Sequence, residues 1–355
     1  MFPERVVSGM RPTGALHLGH YHGALKNWVR LQSEYPCLFF VADWHALTTH
    51  YDSPEVIGNN IWEMVIDWLA AGIDPQQSTL FIQSRVPEHA ELHLLLSMST
   101  PLGWLERVPT YKDQQEKLSD RDLATYGFLG YPLLQAADIL MYRAAFVPVG
   151  EDQVPHIELT REIARRFNHL FGREPGFEDK AREAVKRLGS KRARMYQQLR
   201  TRFQEQGDDE ALQQARELLD QSPNLSLGDR ERLFGWLEGS RKIILAEPQA
   251  LLTEASRMPG IDGQKMSKSY GNSIGMREDP ESAGCTSAGI GCLECKQPVV
   301  DAVLKEQQGF LERAQPYLDD PSLLRNIIAD GCDRARKLAQ ETMRDVREVM
   351  GLSHD

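Results

Sequence analysis

The segment from residue 9 to residue 23 constrains the fold of this chain more than any other. It reads GMRPTGALHLGHYHG and follows the apolar pair Val6-Val7, which predicts a first β-strand. Residues 24–29 then predict a helix, so the glycines and histidines occupy a strand-to-helix turn. A helix N-terminus offers unpaired backbone N–H groups and a partial positive charge, and glycine lets a phosphate approach closely. The segment therefore predicts a phosphate site, although its glycine order is neither the dinucleotide fingerprint nor the P-loop.

Strand and helix patterns alternate after this turn. Residues 37–43 and 79–83 are apolar runs rich in aromatic and β-branched side chains, which predicts buried strands, and 146–150 predicts another. The segments 55–72 and 88–98 predict helices. This alternation predicts an α/β fold with a doubly wound parallel sheet.

Polar side chains follow the predicted strands at their carboxyl ends, where open α/β sheets bind ligands. They lie at 44–47 and at 151–153. A third polar residue, Asp138, lies in an apolar stretch, 131–142, that predicts a helix with proline in its first turn. A carboxylate in such surroundings must be paired or functional, and Arg143 is the partner that a purely structural role predicts.

A second segment, 263–269, reads GQKMSKS. Its two lysines lie three residues apart beside small hydroxyl residues and glycine, which predicts a mobile cationic loop. Such a loop suits the β- and γ-phosphates of ATP, because their charge rises as diphosphate leaves.

Composition limits the classes of protein that this chain can belong to. The 355 residues allow two or three domains and a substantial core. A net charge of −10 argues against general affinity for nucleic acids, so an RNA partner would need local basic surface. We expect no membrane span and no signal peptide, and five cysteines without an extracellular signature predict a reducing cytoplasm.

The two signature segments resemble those of one enzyme class. His17-Leu18-Gly19-His20 resembles the HIGH signature of class I aminoacyl-tRNA synthetases, and 265–269 resembles the KMSKS loop of the same class. PLLQAADIL at 132–140 and VPVGEDQ at 147–153, followed by HIELTREIA at 156–164, are similar to the tryptophanyl-tRNA synthetase family in particular.

The resemblance implies a Rossmann-like class I synthetase fold and a reaction. ATP would activate L-tryptophan to tryptophanyl-adenylate, and the tryptophanyl group would pass to tRNA(Trp) with release of AMP and diphosphate. The implied cofactors are ATP and Mg²⁺. The implied partners are tRNA(Trp) and L-tryptophan, in a cytoplasmic homodimer without a membrane.

The resemblance also assigns residues to three roles. The catalytic set would stabilise the phosphorus under attack and the leaving group, and it is His17, His20, Lys265 and Lys268. The ATP-binding set is Arg11, Pro12, Thr13, Gly19, His20, Lys112, Gly150, Glu151, Asp152, Gln153, Lys265, Met266, Ser267, Lys268 and Ser269. The tryptophan set is Asp138, Val7 and Gln135. Asp138 matches the aspartate that accepts the indole N–H in the family, and a group with one donor and no acceptor suits a carboxylate.

Two other functions stay open at this point. The sister family of tyrosyl-tRNA synthetases shares the fold and both signatures but has a different sequence around the GEDQ stretch. A synthetase-like binding or regulatory protein that has lost activation is the second alternative. Competition between tryptophan and tyrosine would distinguish the first alternative from a tryptophanyl-tRNA synthetase. An exchange assay without tRNA would reveal the second alternative, because a protein that has lost activation would show no exchange.

Residues 172–245 depart from the family pattern. They are charged and helix-forming, which predicts a small helical insertion between the catalytic segments 1–171 and 246–280. Its basic block is Lys180, Arg182, Lys186, Arg187, Lys191, Arg192, Arg194, Arg200 and Arg202. The insertion is a solvated decoration, an extra tRNA contact or a dimer contact.

Three cysteines lie in GCTSAGIGCLECK at 284–296. Cys285, Cys292 and Cys295 resemble the last three ligands of a four-cysteine [4Fe–4S] pattern carried by some members of the family. The fourth ligand is not seen, because family members have several dozen more residues before this stretch. Either the deletion is real and the site is vestigial, or the sequence lacks a loop, which the abrupt junction near 282 favours.

The last segment, 281–355, contains the cysteine motif and a helical domain. Apolar residues recur there at three- and four-residue steps from 301 onwards, which predicts helices. The family's helical domain reads the anticodon. The candidate contacts are Arg334, Arg336, Lys337, Arg344 and Arg347, with solvated helix charges as the alternative.

Overall fold

The computed structural model describes residues 2–108, 125–172, 176–239, 242–252, 258–262, 264, 266–267, 271–278 and 293–353. For 293–299 it describes the course of the backbone alone.

The strands of the described residues form one parallel sheet in the order β3-β2-β1-β4-β5. They are β1 (Val6–Met10), β2 (Cys37–Val41), β3 (Ser78–Ile82), β4 (Phe146–Val149) and β5 (Gln249–Leu252). The chain first winds from β1 to β3 and then returns to the other side of β1, so the direction of winding reverses between β1 and β4. A crevice opens at the carboxyl ends of the strands at such a reversal. The predicted doubly wound α/β fold is confirmed, and β5 is a strand that the sequence did not predict.

Helices connect and cover these strands. They are α1 (Leu18–His20), which continues through a π-helical turn (Tyr21–Leu25) into α2 (Lys26–Leu31), then α3 (Asp43–Leu47), α4 (Glu55–Ala71), α5 (Glu88–Ser97), α6 (Leu102–Glu106), α7 (Tyr126–Met141) and α8 (Val154–Phe171). Short 3₁₀ turns lie at Gln83–Arg85 and Glu151–Gln153. Large buried rings fill the space between the sheet and the helices. The ring of Trp28 on α2 stacks on Phe39 at 4.3 Å between centroids and meets Trp68 of α4 edge-on at 5.4 Å.

Helix α7 begins earlier than its sequence predicts. The side chain of Thr125 caps it by accepting a hydrogen bond from the backbone N–H of Phe128 at 3.2 Å. Pro132 therefore lies inside the helix, and the prediction that it occupies the first turn is wrong. The helix begins after Thr125 because the side chain of this residue satisfies a backbone N–H at the helix N-terminus. Proline only lacks an N–H, so it does not determine where the helix begins.

The segment between α8 and β5 forms four helices around a core of their own. They are α9 (Phe177–Arg187), α10 (Ser190–Gln206), α11 (Asp209–Asp220) and α12 (Leu227–Leu237). Tyr196, Leu219 and Leu233 are among the buried side chains of this second core. Several residues of the basic block pair with carboxylates of these same helices, including Arg182, Lys186, Arg187 and Arg202. Arg200 stacks over the ring of Trp236 at 4.1 Å.

Two long helices, α13 (Leu293–Asp319) and α14 (Pro321–Val349), end the chain. Helix α14 lies directly on β3: a Cβ atom on Gly331 would stand 1.8 Å from the carbonyl oxygen of Leu80, so only glycine fits there. Three of the arginines that are candidate anticodon contacts pair with the catalytic part. Arg336 pairs with Glu88, Arg347 with Glu91, and Arg334 donates to the carbonyl oxygen of Pro75. The helix face that carries them packs on α5 and the sheet edge, and their contact with an anticodon stays a prediction.

A search of the helices in the described part of the chain for a membrane span found none of sufficient length and apolar character.

Candidate active site

A cavity of about 360 Å³ opens at the carboxyl ends of β1 and β4, where the winding reverses. Its walls come from β1, the helix after it, β4 and the inner face of α7. The lining includes Val7, Arg11, His45, Tyr131, Gln135, Asp138, Gly150 and Gln153. Apolar side chains make up much of the lining and polar side chains from several elements lie among them, which suits a small amphipathic ligand.

Asp138 lines this cavity and is 1% exposed. Its Oδ1 atom lies 2.5 Å from His89 Nδ1, and its Oδ2 atom lies 2.7 Å from His45 Nε2. The side-chain amide of Gln83 donates to both oxygens, at 2.8 Å and 2.9 Å. A carboxylate has about four lone-pair directions, so these contacts use them all.

The direction of these hydrogen bonds fixes the charge of Asp138. The backbone N–H of Trp44 donates to Gln83 Oε1 at 3.2 Å, so the Nε2 of Gln83 must face Asp138 as a donor. Burial alone raises the pKa of Asp138, but the hydrogen bonds from His45 and His89 outweigh it and lower the pKa to about 2. The cavity thus holds an ionised carboxylate at neutral pH.

Arg143 is not the partner of Asp138, so the structural pairing that the sequence suggested is wrong. Arg143 donates to the carbonyl oxygen of Ile244 and pairs with Asp345 of α14 at 2.5 Å. It follows the end of α7 with φ 49°, and it is not among the described residues that line the cavity. The residue therefore ties the C-terminal helix to the sheet.

The turn after β1 places two imidazoles side by side. The rings of His17 and His20 lie 3.8 Å apart between centroids, and the backbone N–H of His17 donates to His20 Nδ1 at 3.2 Å. A neutral His20 therefore carries its proton on Nε2. A Cβ atom on Gly19 would stand 2.9 Å from the ring of His17, so glycine lets that ring lie against the turn.

The second signature segment lies against the first. The backbones of His17 and Gly275 form an antiparallel bridge, and the N–H of Leu18 donates to the carbonyl oxygen of Ile274 at 3.0 Å. Met266, 5% exposed, packs with its Cβ near Gly19. Two segments separated by some 250 residues of chain are thereby neighbours in the fold.

A buried carboxylate on α4 ties these two segments together. Asp67, 2% exposed, accepts a hydrogen bond from the backbone N–H of Leu16 at 3.1 Å and another from Arg277 Nε at 2.5 Å. Leu16 precedes the first histidine, and Arg277 follows the KMSKS-like loop. Burial raises the pKa of Asp67, and Arg277 and the Leu16 N–H lower it by less.

The residues assigned from the sequence fall into three groups. Those that line the cavity are Val7, Arg11, Gln135, Asp138, Gly150 and Gln153. A second group lies outside the cavity lining, around the first turn, on the loop next to it or beside Gly150. This group is Pro12, Thr13, His17, Gly19, His20, Glu151, Asp152, Met266 and Ser267. Lys112, Lys265, Lys268 and Ser269 lie outside the described residues.

Sequence reasoning missed the partners of Asp138. His45 and Gln83 each follow a strand at its carboxyl end, which is a signal that could have found them. His89 follows no strand and lies near the start of α5, 49 positions before Asp138. Only the packing of α5 against α7 brings it to the site, so no local pattern announced it.

The cysteine motif lies largely outside the described residues. Cys285 and Cys292 are not described, and of Cys295 the structure gives the backbone alone. Cys37 and Cys332 are buried free thiols, and burial raises the pKa of Cys37 to about 12. Within the described ranges, no group of three or more His, Cys, Asp or Glu side chains could hold a metal ion.

Comparison with known sequences places this geometry in a family. Residues 3–186 match the family described as tRNA synthetases class I (W and Y). The chain is 69% identical to a tryptophan–tRNA ligase of Ralstonia nicotianae over 399 residues, and the match covers 100% of both chains. It is 38% identical to a tryptophan–tRNA ligase of Thermotoga maritima over 395 residues, covering 98% of this chain and 99% of that protein.

Solved structures of similar fold agree with the sequence comparison. A tryptophanyl-tRNA synthetase of Campylobacter jejuni, complexed with ADP and tryptophan, superposes with a TM-score of 0.69 at 26% identity. The superposition covers 98% of this chain and 100% of the other.

Proposed function

Because this chain belongs to the class I tRNA synthetases for tryptophan and tyrosine, we propose that its cavity binds L-tryptophan with the indole N–H on Asp138. The chain is an enzyme that activates L-tryptophan with ATP to tryptophanyl-adenylate. It then transfers the tryptophanyl group to tRNA(Trp) and releases AMP and diphosphate.

The observation that carries the choice of amino acid is the ionised carboxylate in the wall of a largely apolar cavity. Asp138 is held by three donor side chains and has a pKa of about 2. An ionised carboxylate accepts hydrogen bonds and cannot donate one, so it favours a ring with an N–H donor. A ring with no donor gains no hydrogen bond from this carboxylate, so a ring with an N–H donor binds with the more favourable free energy.

Activation is an in-line displacement at phosphorus. A carboxylate oxygen of tryptophan attacks the α-phosphorus of ATP, an O–P bond forms, and the bond to the bridging oxygen of diphosphate breaks. Negative charge builds on the diphosphate, so donors preorganised around it lower the barrier. In the second step a terminal hydroxyl of tRNA attacks the tryptophanyl carbonyl, and AMP leaves with the bonding electrons.

The first turn and the KMSKS-like loop form the phosphate side of the proposed site. His20 would donate from Nε2, His17 supports its ring, and Gly19 keeps the turn open to a phosphate. Arg11 lies on the cavity wall. Lys265 and Lys268 would bring cations to the diphosphate, because Met266 between them lies beside Gly19.

The remaining ligands and partners extend this proposal. ATP enters as its Mg²⁺ complex, and the ion neutralises part of the phosphate charge. Gly150 and Gln153 would face the nucleoside of ATP, with Asp152 beside them. We propose a cytoplasmic homodimer that binds tRNA(Trp), with the insertion and the C-terminal helices as candidate contacts.

The [4Fe–4S] cluster stays a proposal on the sequence pattern of Cys285, Cys292 and Cys295. The buried Cys37 and Cys332 are parts of the core, so neither supplies the missing ligand. The visible spectrum of anaerobically purified protein tests for the cluster, and a mass spectrum tests whether a loop is missing before Cys285.

The substitution Asp138→Ala tests the assignment of the amino acid. We expect kcat/KM for tryptophan in ATP–diphosphate exchange to fall by about 100-fold or more, since a buried donor on the ligand loses its acceptor. The KM for ATP should change less than about twofold, because Asp138 lies on the amino-acid side of the cavity. Exchange at native efficiency with tryptophan would refute the assignment, and competition with tyrosine in the wild type provides the specificity control.

A further inference from the structure

Two buried side chains behind Asp138 form a hydrogen-bonded chain that the proposed mechanism does not use. His89 of α5 and Tyr142, which follows α7, are both 0% exposed. His89 Nε2 lies 2.6 Å from the hydroxyl of Tyr142, and His89 Nδ1 lies 2.5 Å from Asp138. Neither residue is among those that line the cavity in the described part of the chain.

When His89 is neutral, the hydroxyl of Tyr142 is the donor in the contact between them. Burial and the nearby charge of Asp138 raise the pKa of Tyr142 well above its usual value, so the hydroxyl keeps its proton. The Nε2 atom of His89 accepts that proton's hydrogen bond, which leaves the ring proton on Nδ1. Without the hydroxyl of Tyr142, the tautomer of His89 with its proton on Nε2 becomes accessible. In that tautomer the lone pair of Nδ1 would face Asp138.

Packing holds this chain of groups in one place. The ring of Tyr142 meets Phe81 edge-on at 5.5 Å between centroids, and the ring of His89 lies 6.0 Å from Phe81 and 6.1 Å from Phe40. Asp138 lies near the end of α7 and Tyr142 follows that helix, four positions later, and both side chains contact His89. The side chains therefore have little room to turn independently.

The three donors to Asp138 differ in their access to the ligand. His45 lines the cavity, and its side chain is 11% exposed, whereas the side chain of His89 is fully buried. His45 holds Oδ2 and His89 holds Oδ1. Because the four lone pairs are all used, an indole N–H can enter only where a donor yields, and His45 is the donor that the ligand can reach.

We propose that His89 and Tyr142 are positioning residues for tryptophan recognition, which fix Oδ1 of Asp138 and keep its carboxylate ionised while Oδ2 passes from His45 to the indole N–H. This inference rests on the role proposed for Asp138. It adds that the two histidines differ in role: His89 is a fixed donor behind the carboxylate, and His45 in the cavity wall is a donor that the ligand replaces.

Tyr142→Phe tests the proposal with the smallest change, because it removes only the hydroxyl. We expect the KM for tryptophan in the exchange reaction to rise about tenfold, the size of one lost buried hydrogen bond, with the KM for ATP unchanged. Tyr196→Phe is the matched control. Tyr196 is also a buried tyrosine, its hydroxyl donates to the carbonyl oxygen of Leu233 at 2.6 Å, and it lies in the core of the insertion. This control should leave both KM values unchanged.

His89 is tested with two variants. In His89→Asn the amide nitrogen can still donate near the position of Nδ1, so the KM for tryptophan should rise only a few-fold. In His89→Leu no donor remains, and we expect a loss larger than that of Tyr142→Phe. Should His89→Leu fail to fold, the Asn and Phe variants still decide the question.

Two readouts separate positioning from a general loss of structure. The first is discrimination between tryptophan and its analogue with sulfur in place of the indole N–H, which should shrink in Tyr142→Phe because the acceptor is misplaced. The second is the pH profile of the KM for tryptophan. The titratable groups around Asp138 are His45 on α3, His89 and His93 on α5, and Tyr142 with Glu88 beside it. Loss of the His89 donor should move the acid limb of this profile upward, because the carboxylate stays buried with less support.

The outcomes distinguish this proposal from the function on which it depends. If Asp138→Ala abolishes tryptophan-dependent exchange while Tyr142→Phe and His89→Asn leave the KM, the discrimination and the pH profile unchanged, the positioning role is refuted alone. If Asp138→Ala itself has no effect, both the recognition of tryptophan by this carboxylate and the positioning role are refuted.

Discussion

Two carboxylates are buried to almost the same degree in this chain and do different work. Asp138 at the cavity is 1% exposed and Asp67 beneath the two signature segments is 2% exposed. Asp138 receives donors from three side chains, and its pKa is lowered to about 2. Asp67 receives one guanidinium and one backbone N–H, and its pKa is raised.

The difference shows that the supply of donors, rather than burial, decides what a buried acid can do. At Asp138 the donors outweigh the cost of burial, which leaves a charge that a ligand can use. At Asp67 the hydrogen bonds lower the pKa by less than burial raises it. The role of this residue is therefore to join two segments of the chain. It links the turn before His17 to the segment after the KMSKS-like loop, and buried ion pairs often serve such specificity at the expense of stability.

The largest expected effect in this comparison is that of Asp67→Ala. The Leu16 N–H loses its acceptor and Arg277 keeps only the more exposed Glu63, so we expect the free energy of unfolding to fall by about 2 kcal/mol. The KM for ATP should rise about tenfold while that for tryptophan stays within about twofold, because the phosphate side alone is loosened. Urea unfolding and exchange kinetics measure the two effects.

Glu63→Gln is the control for that variant. Glu63 is the second partner of Arg277, at 2.6 Å, but its side chain is 49% exposed, so its loss should cost no more than about 1 kcal/mol. Equal effects of the two substitutions would mean that Asp67 has no special role in joining the segments.

A second prediction concerns acid and Asp138. The folded-state pKa of Asp138 is about 2 against 3.8 in its ordinary state, so ionised Asp138 contributes stability above pH 4. That contribution, about 2 kcal/mol by linkage, is lost as pH falls through 2. The difference in unfolding free energy between the wild type and Asp138→Asn should therefore narrow between pH 5 and pH 3. A difference that is constant with pH would place the carboxyl in its ordinary titration range.

The sequence predicted the frame of this fold better than the surroundings of Asp138. The first four strands are short runs of β-branched and aromatic residues between turns, and such runs carry their own signal. Among the donors to Asp138, His45 and Gln83 carry only the signal of their place after a strand, and His89 carries none. Arg143, the nearest cation in sequence, is five residues on, about 140° around a helix, whereas the true donors come from α3, α5 and the turn after β3. Contacts between distant elements follow from packing, so local sequence patterns could not predict that these residues pair with Asp138.

The smallest expected effect concerns the C-terminal helix. Arg347 pairs with Glu91 of α5, and both side chains are partly exposed, at 42% and 35%. Arg347→Ala should lower the free energy of unfolding by about 0.5 kcal/mol and leave the KM for tRNA within about twofold. A large rise in the KM for tRNA without a change in stability would identify Arg347 as an anticodon contact.

The most direct test of the central claim is a crystal structure with tryptophan and a non-hydrolysable ATP analogue bound. We expect the indole nitrogen within hydrogen-bond distance of Asp138 Oδ2, His89 Nδ1 still on Oδ1, and His45 withdrawn. The phosphates should lie between the turn at 17–20 and the loop at 265–269. An indole ring that points away from Asp138, or a nucleotide bound elsewhere, would contradict the account.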